Sequence, residues 1–183
     1  TNPGPRSEEI VRRAARALAA IHENLELPES QRQPIQASWA CRDFTRDTCV
    51  HCDFTAFNVL VDADDLWIID WATSDVFGEG GTVGPAELDV AWFVASLFFQ
   101  SHFGWRKIPQ RNRLAEAFVR EYCARRNVAP SSIAEYLAVV GRHLYASRPN
   151  ILVRLRKLRQ ELLSEPAMLR FAAGLQRRGA MEV

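Results

Sequence analysis

Long apolar runs are missing from this chain of 183 residues. None approaches the roughly 20 residues that cross a bilayer, and the N-terminus lacks the apolar core of a signal peptide. These absences exclude a spanning helix and a secretory leader, so the cytoplasm is the expected location and no membrane partner is expected. Lysine is nearly absent: Lys107 and Lys157 are the only two among 23 basic residues. Glycine-rich phosphate cradles are absent as well, because Gly78 to Gly84 follows neither G-x-G-x-x-G nor the G-K-S/T ending. A flexible lip is the better reading of that loop. Cysteine is limited to Cys41, Cys49, Cys52 and Cys123. Cys49 and Cys52 have the C-x-x-C spacing of a zinc half-site or a redox pair, with Cys41 as a third sulfur, but no second C-x-x-C follows. All four read mainly as reduced, partly buried apolar residues.

With 48% of residues hydrophobic and 25% charged, the composition is that of an ordinary soluble protein, and the length fits one domain with a substantial core. The net charge of +1 conceals an asymmetry. Residues 1–100 hold seven basic and sixteen acidic residues, residues 101–183 sixteen basic and six acidic. A basic half suits an anionic substrate, a nucleic acid or an acidic partner. Its arginines read first as the solvated faces of amphipathic helices, which disfavours nucleic acid.

The informative stretch runs from Cys49 to Trp92. His51, Asp53 and Asn58 stand in the order H-x-D-x-x-x-x-N, followed by two apolar runs, Asn58 to Val61 and Leu66 to Ile69, with Asp70 after the second. The β-branched content of the runs and the acidic Asp62-Ala63-Asp64-Asp65 between them predict a β-hairpin. A hairpin brings the residue before its first strand beside the residue after its second, so Asn58 and Asp70 are expected to converge. Hard oxygen donors of this kind suit Mg²⁺ carrying phosphate oxygens. Asp53, five residues before Asn58, is placed to orient a substrate hydroxyl or take its proton.

These residues resemble the catalytic and metal loops of the aminoglycoside phosphotransferase and choline kinase group, small-molecule relatives of the protein kinases. That group has H-G-D-x-x-x-x-N and I-D-W/F where this chain has His51-Cys52-Asp53, Asn58 and Ile69-Asp70-Trp71. The resemblance implies that Asp53 is the base or orienter of the acceptor hydroxyl and that Asn58 and Asp70 hold Mg²⁺ and its ATP or other nucleoside triphosphate. His51 would brace the loop at the catalytic site. Gly84 to Ala91 is similar to the group's G-x-x-x-x-D-L-A segment, whose Asp, here Asp89, would tie down the metal loop and open a helix. Cys52 stands where the group has Gly, and Val90 where it has Leu.

The rest of the chain reads as helices. Ser7 is expected to cap the first, with Ile10, Ala14, Leu18, Ile21 and Leu25 facing inward. Its Leu18-Ala19-Ala20-Ile21-His22 resembles an L-A-x-L-H element that begins the larger lobe, with His22 as a packing residue. Leu27 to Asp47 is a connection with a short helix around Ser38 to Phe44. Glu87 to Phe99 is an apolar helix with Trp92, Phe93, Leu97 and Phe98 in the core. Ile108 to Arg126 packs through Leu114, Phe118 and Tyr122. A helix from Ser131 or Ser132 to about Tyr145 packs through Ile133, Tyr136, Leu137 and Val140. Two more helices are expected, Ile151 to Leu163 and Ala167 to Arg177.

The expected fold is therefore mainly α with a small β-hairpin (α+β), a single domain over 1–183 with the loops in 49–91 and a helical part in 92–183. The resemblance implies a protein-kinase-like C-terminal lobe with the N-terminal β lobe missing: a phosphate-gripping strand lysine has no counterpart ahead of the catalytic loop. The expected function is ATP-dependent phosphoryl transfer to a hydroxyl of a small molecule, with a missing N-lobe or a partner chain completing the site. The alternative is a non-catalytic or partner-dependent lobe that acts as a binding module.

Overall fold

The computed structural model describes residues 5–35, 39, 47–71, 82–99, 108–146 and 165–178. Helix α1 spans Pro5–Asn24. It begins two residues before Ser7, because proline's fixed φ and missing N–H suit a first helical position. Its buried stripe is Val11, Ala14, Ala15, Leu18, Ala19 and His22, while Ile10 and Ile21 are half-buried and Leu25 is exposed. The inward face is thus turned by one residue from the Ile10–Leu25 line, and its alanines let α3 approach closely.

Strands β1, Asp47–Cys49, and β4, Val83–Pro85, pair antiparallel. Between them β2, Val59–Asp62, and β3, Asp65–Ile68, form the expected hairpin, with Val59 opposite Ile68 and Asp62 opposite Asp65. Its turn is only Ala63-Asp64, and Ala63 sits at φ 46°, where a Cβ meets the following carbonyl. Arg13 of α1 holds this turn by donating to the carbonyls of Ala63 and Asp64. Ala63→Gly should raise unfolding free energy by about 0.5–1 kcal/mol, since relief of left-handed strain outweighs the added freedom of the unfolded chain. Urea denaturation of the two proteins checks it.

Helix α2 spans Ala86–Phe99, α3 Ile108–Arg126 and α4 Pro130–Ala146; α5 occupies 165–178. Leu114, Phe118 and Tyr122 of α3 are buried as their spacing predicts, as are Ile133, Tyr136, Leu137 and Val140 of α4. Helix α1 packs mainly on α3, and α2 on α4. Ala167, Met168, Phe171 and Leu175 bring α5 into the same core. The architecture is mainly helical with two small antiparallel sheets.

The sheet of β1 and β4 was not expected, and the described end of the glycine-rich loop, from Thr82, enters it rather than forming a lip. Ile35 lies on Gly84, where an added Cβ would come within 2.9 Å of its Cδ1. The connection after α1 holds a short 3-10 turn, Glu29–Gln31, and then runs beside β4, with the Ile35 N–H donating to the Val83 carbonyl. Of the helix expected around Ser38 to Phe44 only Trp39 is described, and it is buried. The expected Ile151–Leu163 helix, Cys41 and most of Gly78–Gly84 lie outside the described residues. No described helix is long and apolar enough to cross a membrane.

Candidate active site

The loop from His51 to Asn58 joins the two sheets, and three side chains on one face of α2 hold it. Asp89, fully buried, accepts the His51 N–H at 2.6 Å through Oδ2 and the Cys52 N–H at 3.0 Å through Oδ1. Trp92 donates its indole N–H to Asp53 Oδ1 at 2.9 Å. Ser96 Oγ accepts the Ala56 N–H at 3.2 Å. Positions i, i+3 and i+7 fall on one side of a helix, so α2 presents a polar seam to the loop while the rest of its surface packs. Among the described residues Asp89 therefore ties the catalytic loop, where the resemblance implied the metal loop, and Trp92 is only partly buried rather than a core residue.

Beneath the seam, Tyr122 of α3 donates its hydroxyl to His22 Nδ1 at 2.8 Å, and His22 Nε2 donates to Asp89 Oδ2 at 3.1 Å. Burial pushes the Tyr122 phenol pKa up, which keeps that proton in place. His22 is thus a buried hydrogen-bonding link to the loop's anchor, more than a packing residue. Phe54 plugs the loop from the other side. It is fully buried against Phe93 of α2, with ring centroids 5.4 Å apart, and Phe93 in turn stacks on Phe118 of α3 at 4.0 Å.

Cys52 carries the backbone consequence of replacing glycine. Its φ is 67°, left-handed, and its side chain is buried. Burial pushes the thiol pKa of both Cys49 and Cys52 upward, which suppresses the thiolate that redox or metal chemistry needs. Cys49, Cys52 and Cys123 are free thiols. Glycine normally costs roughly 0.5–1 kcal/mol relative to alanine. At Cys52 the order should reverse, with Cys52→Gly at least as stable as Cys52→Ala, because only glycine releases the left-handed strain. Thermal melts of the two variants decide it.

The four residues singled out from sequence occupy one neighbourhood. His51 is buried; its Nε2 donates to the Ile69 carbonyl at 3.0 Å and its Nδ1 accepts the Asp53 N–H at 3.3 Å. One ring thus joins the loop to the end of β3, and Trp71 lies against it with centroids 4.6 Å apart. Asn58 Nδ2 donates to Asp53 Oδ2 at 3.0 Å and to the Asp53 carbonyl at 2.8 Å. The Ile69 N–H donates to the Asn58 carbonyl at 3.0 Å, setting Asp70 just past Asn58 across the hairpin. Asp70 sits at φ 57°, a region Asp tolerates better than most residues. Its side chain is exposed and makes no hydrogen bond or ion pair among the described residues.

Asn58 and Asp70 supply donors of the kind that suit Mg²⁺. With Nδ2 committed to Asp53, Asn58 offers Oδ1, and Asp70 offers a solvated carboxylate; hard oxygens that leave room for waters and phosphate fit that ion. Among the described residues no group of three or more His, Cys, Asp or Glu is gathered to hold a metal ion, so Asn58 and Asp70 would leave most of the coordination to waters and phosphate. Beside these oxygens, Leu60, Trp67 and Ile69 are exposed apolar side chains, and strand alternation puts them on the Asn58 face of the ribbon. Sequence reasoning missed Trp92, Ser96 and the His22–Tyr122 link. The available signal was polar Asp89 and Ser96 at helical spacing within an apolar run.

Comparison with curated proteins found no match, and neither did comparison with solved structures. A family model does match: the RIO domain, over residues 9–77, less than half of the chain. That stretch contains His51, Asp53, Asn58 and Asp70 but ends before the Gly84–Ala91 segment. The RIO domain is a kinase-like phosphotransferase family, an atypical branch of the protein kinases, and the match supports a kinase-like reading of this stretch. It corrects the resemblance to the aminoglycoside phosphotransferase and choline kinase group. The correction has a chemical reason: an Asp for the acceptor, and an Asn and an Asp for the metal, serve phosphoryl transfer in general. They carry no mark of the acceptor, so the pattern in 49–71 points to kinase-like proteins at large and does not separate one family from another.

Proposed function

We propose that this chain carries the catalytic loop of a kinase-like phosphotransferase and moves a phosphoryl group from a Mg²⁺-bound nucleoside triphosphate, ATP in the first instance, to a hydroxyl. The observation that carries the reading is the hydrogen-bonded grouping of Asp53 with Asn58, and of Asn58 with the strand end that bears Asp70. Asn58 Oδ1 and the Asp70 carboxylate would hold the ion, which when bound neutralises charge on the nucleotide's phosphates. Leu60, Trp67 and Ile69 give a planar base an apolar surface beside those oxygens. Asp53 orients the acceptor hydroxyl and receives its proton as the oxygen–phosphorus bond forms. His51 braces the loop against β3 and takes no part in proton transfer, since both ring nitrogens are engaged by backbone groups.

A second reading, a lobe that needs a partner chain to grip the nucleotide, is favoured by one feature. Both lysines, Lys107 and Lys157, follow the metal strand in sequence, so within these 183 residues only arginines stand ahead of the catalytic loop to neutralise the α- and β-phosphates, and a further segment or another polypeptide could supply the lysine. Calorimetric titration of the chain with ATP, with and without Mg²⁺, separates the readings. Mg²⁺-dependent binding that disappears in Asp70→Ala is expected. Absence of binding in both proteins would favour the partner-dependent lobe, and equal binding in both would remove Asp70 from the metal site.

A further inference from the structure

We infer that Trp92 is the positioning residue for Asp53: its indole N–H holds the carboxylate in the single orientation that faces the acceptor hydroxyl. The inference rests on the reading of Asp53 as the group that meets that hydroxyl.

Between Ala86 and Phe98 every residue of α2 is buried except Trp92. A large aromatic in such a helix gains most by full burial, so partial exposure at this one position calls for a compensating contact. That contact is the 2.9 Å hydrogen bond from Nε1 to Asp53 Oδ1. The other oxygen, Oδ2, accepts Asn58 Nδ2 at 3.0 Å. One donor lets a carboxylate rotate about its last bond; two donors, one on each oxygen and from separate elements, fix its plane. Each oxygen keeps a further lone pair, so the group stays able to accept a proton from a hydroxyl.

The indole is itself held. Trp39, buried, meets it edge-on with centroids 6.0 Å apart and planes at 78°. Trp92 also lies one turn after Asp89, whose carboxylate holds the amides of His51 and Cys52. The same rigid helix therefore sets the backbone of the loop and the plane of its working side chain. This division of labour distinguishes the three residues of the seam: on the loop Asp89 and Ser96 hold only main-chain amides, and Trp92 alone of them touches a side chain proposed to react.

The test keeps the ring and removes the hydrogen. Trp92→Phe retains the contact with Trp39 and should melt close to the parent protein. In nitrogen-15 spectra of the full chain, the Trp92 indole resonance is assigned by its loss in Trp92→Phe. It should then move in Asp53→Ala by more than any other indole resonance. With ATP, Mg²⁺ and an accepted hydroxyl substrate, Trp92→Phe should lower kcat about tenfold or more while leaving the KM for ATP within about twofold, as expected for an orientation effect. An unmoved indole resonance overturns the inference whatever the activity. A moved resonance with parental kcat in Trp92→Phe overturns it too, because the bond would then exist without positioning anything. A parent protein that transfers no phosphate to any acceptor overturns the functional reading instead, and the indole resonance alone then decides whether Trp92 holds Asp53.

Discussion

Asp89→Ala is expected to cost about 3–5 kcal/mol of unfolding free energy, the range seen when one partner of a buried charged network is removed. The carboxylate accepts three hydrogen bonds inside the protein, from His51 N, Cys52 N and His22 Nε2. Alanine leaves three buried donors without an acceptor, and each such group costs about 1–3 kcal/mol. Partial collapse and water entry keep the total below the sum. Against a typical reserve of about 5–15 kcal/mol, this places the variant near the edge of folding. Urea denaturation measures it directly. Asp89→Asn separates charge from shape, because the amide keeps one acceptor oxygen while its nitrogen opposes a donor. It should fall between the parent and the alanine variant. A cost below about 1 kcal/mol for Asp89→Ala would mean that the loop is held by Phe54 and the hairpin, and that Asp89 is not its anchor.

The elements that sequence made legible are those whose pattern is set by one interface. Helix α3 buries Leu114, Phe118 and Tyr122 on a strict four-residue spacing, and the hairpin declares itself by two apolar runs around an acidic turn. Helix α1 was legible as a helix, with Ala14 and Leu18 rightly inward, but its face was set slightly off, because alanines at 15 and 19 carry little hydropathy while they set the close approach. The sheet of β1 and β4 was invisible for a different reason. Strands of three residues show no alternation, and β4, Val83-Gly84-Pro85, contains a glycine and a proline that normally argue against a strand; its pairing with β1 spans a long separation in sequence. His51, Asp53, Asn58 and Asp70 were singled out by a spacing that kinase-like proteins share, and the structure brings them into one neighbourhood. Trp92 was not singled out, because an aromatic in ELDVAWFVASLFF is indistinguishable from core until the helix phase places it beside Asp89 and Ser96. The family was misread on the same logic: the motif reports what kinase-like proteins share, while the RIO-domain match extends over 9–77, most of which lies ahead of the motif.

Asp53→Ala is expected to slow phosphoryl transfer by about 10²–10⁴-fold, the usual contribution of a positioned acid–base group, while leaving Mg²⁺-dependent ATP affinity within about twofold. The second half of this expectation follows from how Asn58 is held. Its Nδ2 donates both to the Asp53 carboxylate and to the Asp53 main-chain carbonyl, at 3.0 and 2.8 Å. Truncation to alanine removes the first bond and preserves the second, so Asn58 keeps its orientation and its Oδ1 stays available to the metal. Asparagine at 53 is the less informative substitution. Its amide must set an N–H against either Asn58 Nδ2 or the Trp92 indole, two groups that can only donate, and the conflict would displace Asn58 and confound metal binding with catalysis. Single-turnover transfer measured beside calorimetric ATP affinity distinguishes the cases. Loss of transfer with retained affinity assigns Asp53 to the acceptor. Parallel loss of both would make it part of the nucleotide site, and unchanged transfer would remove it from the mechanism. Asp70→Ala should give the complementary result, losing metal-dependent affinity first and transfer as its consequence, because its exposed carboxylate has no described partner other than the ion it is proposed to hold.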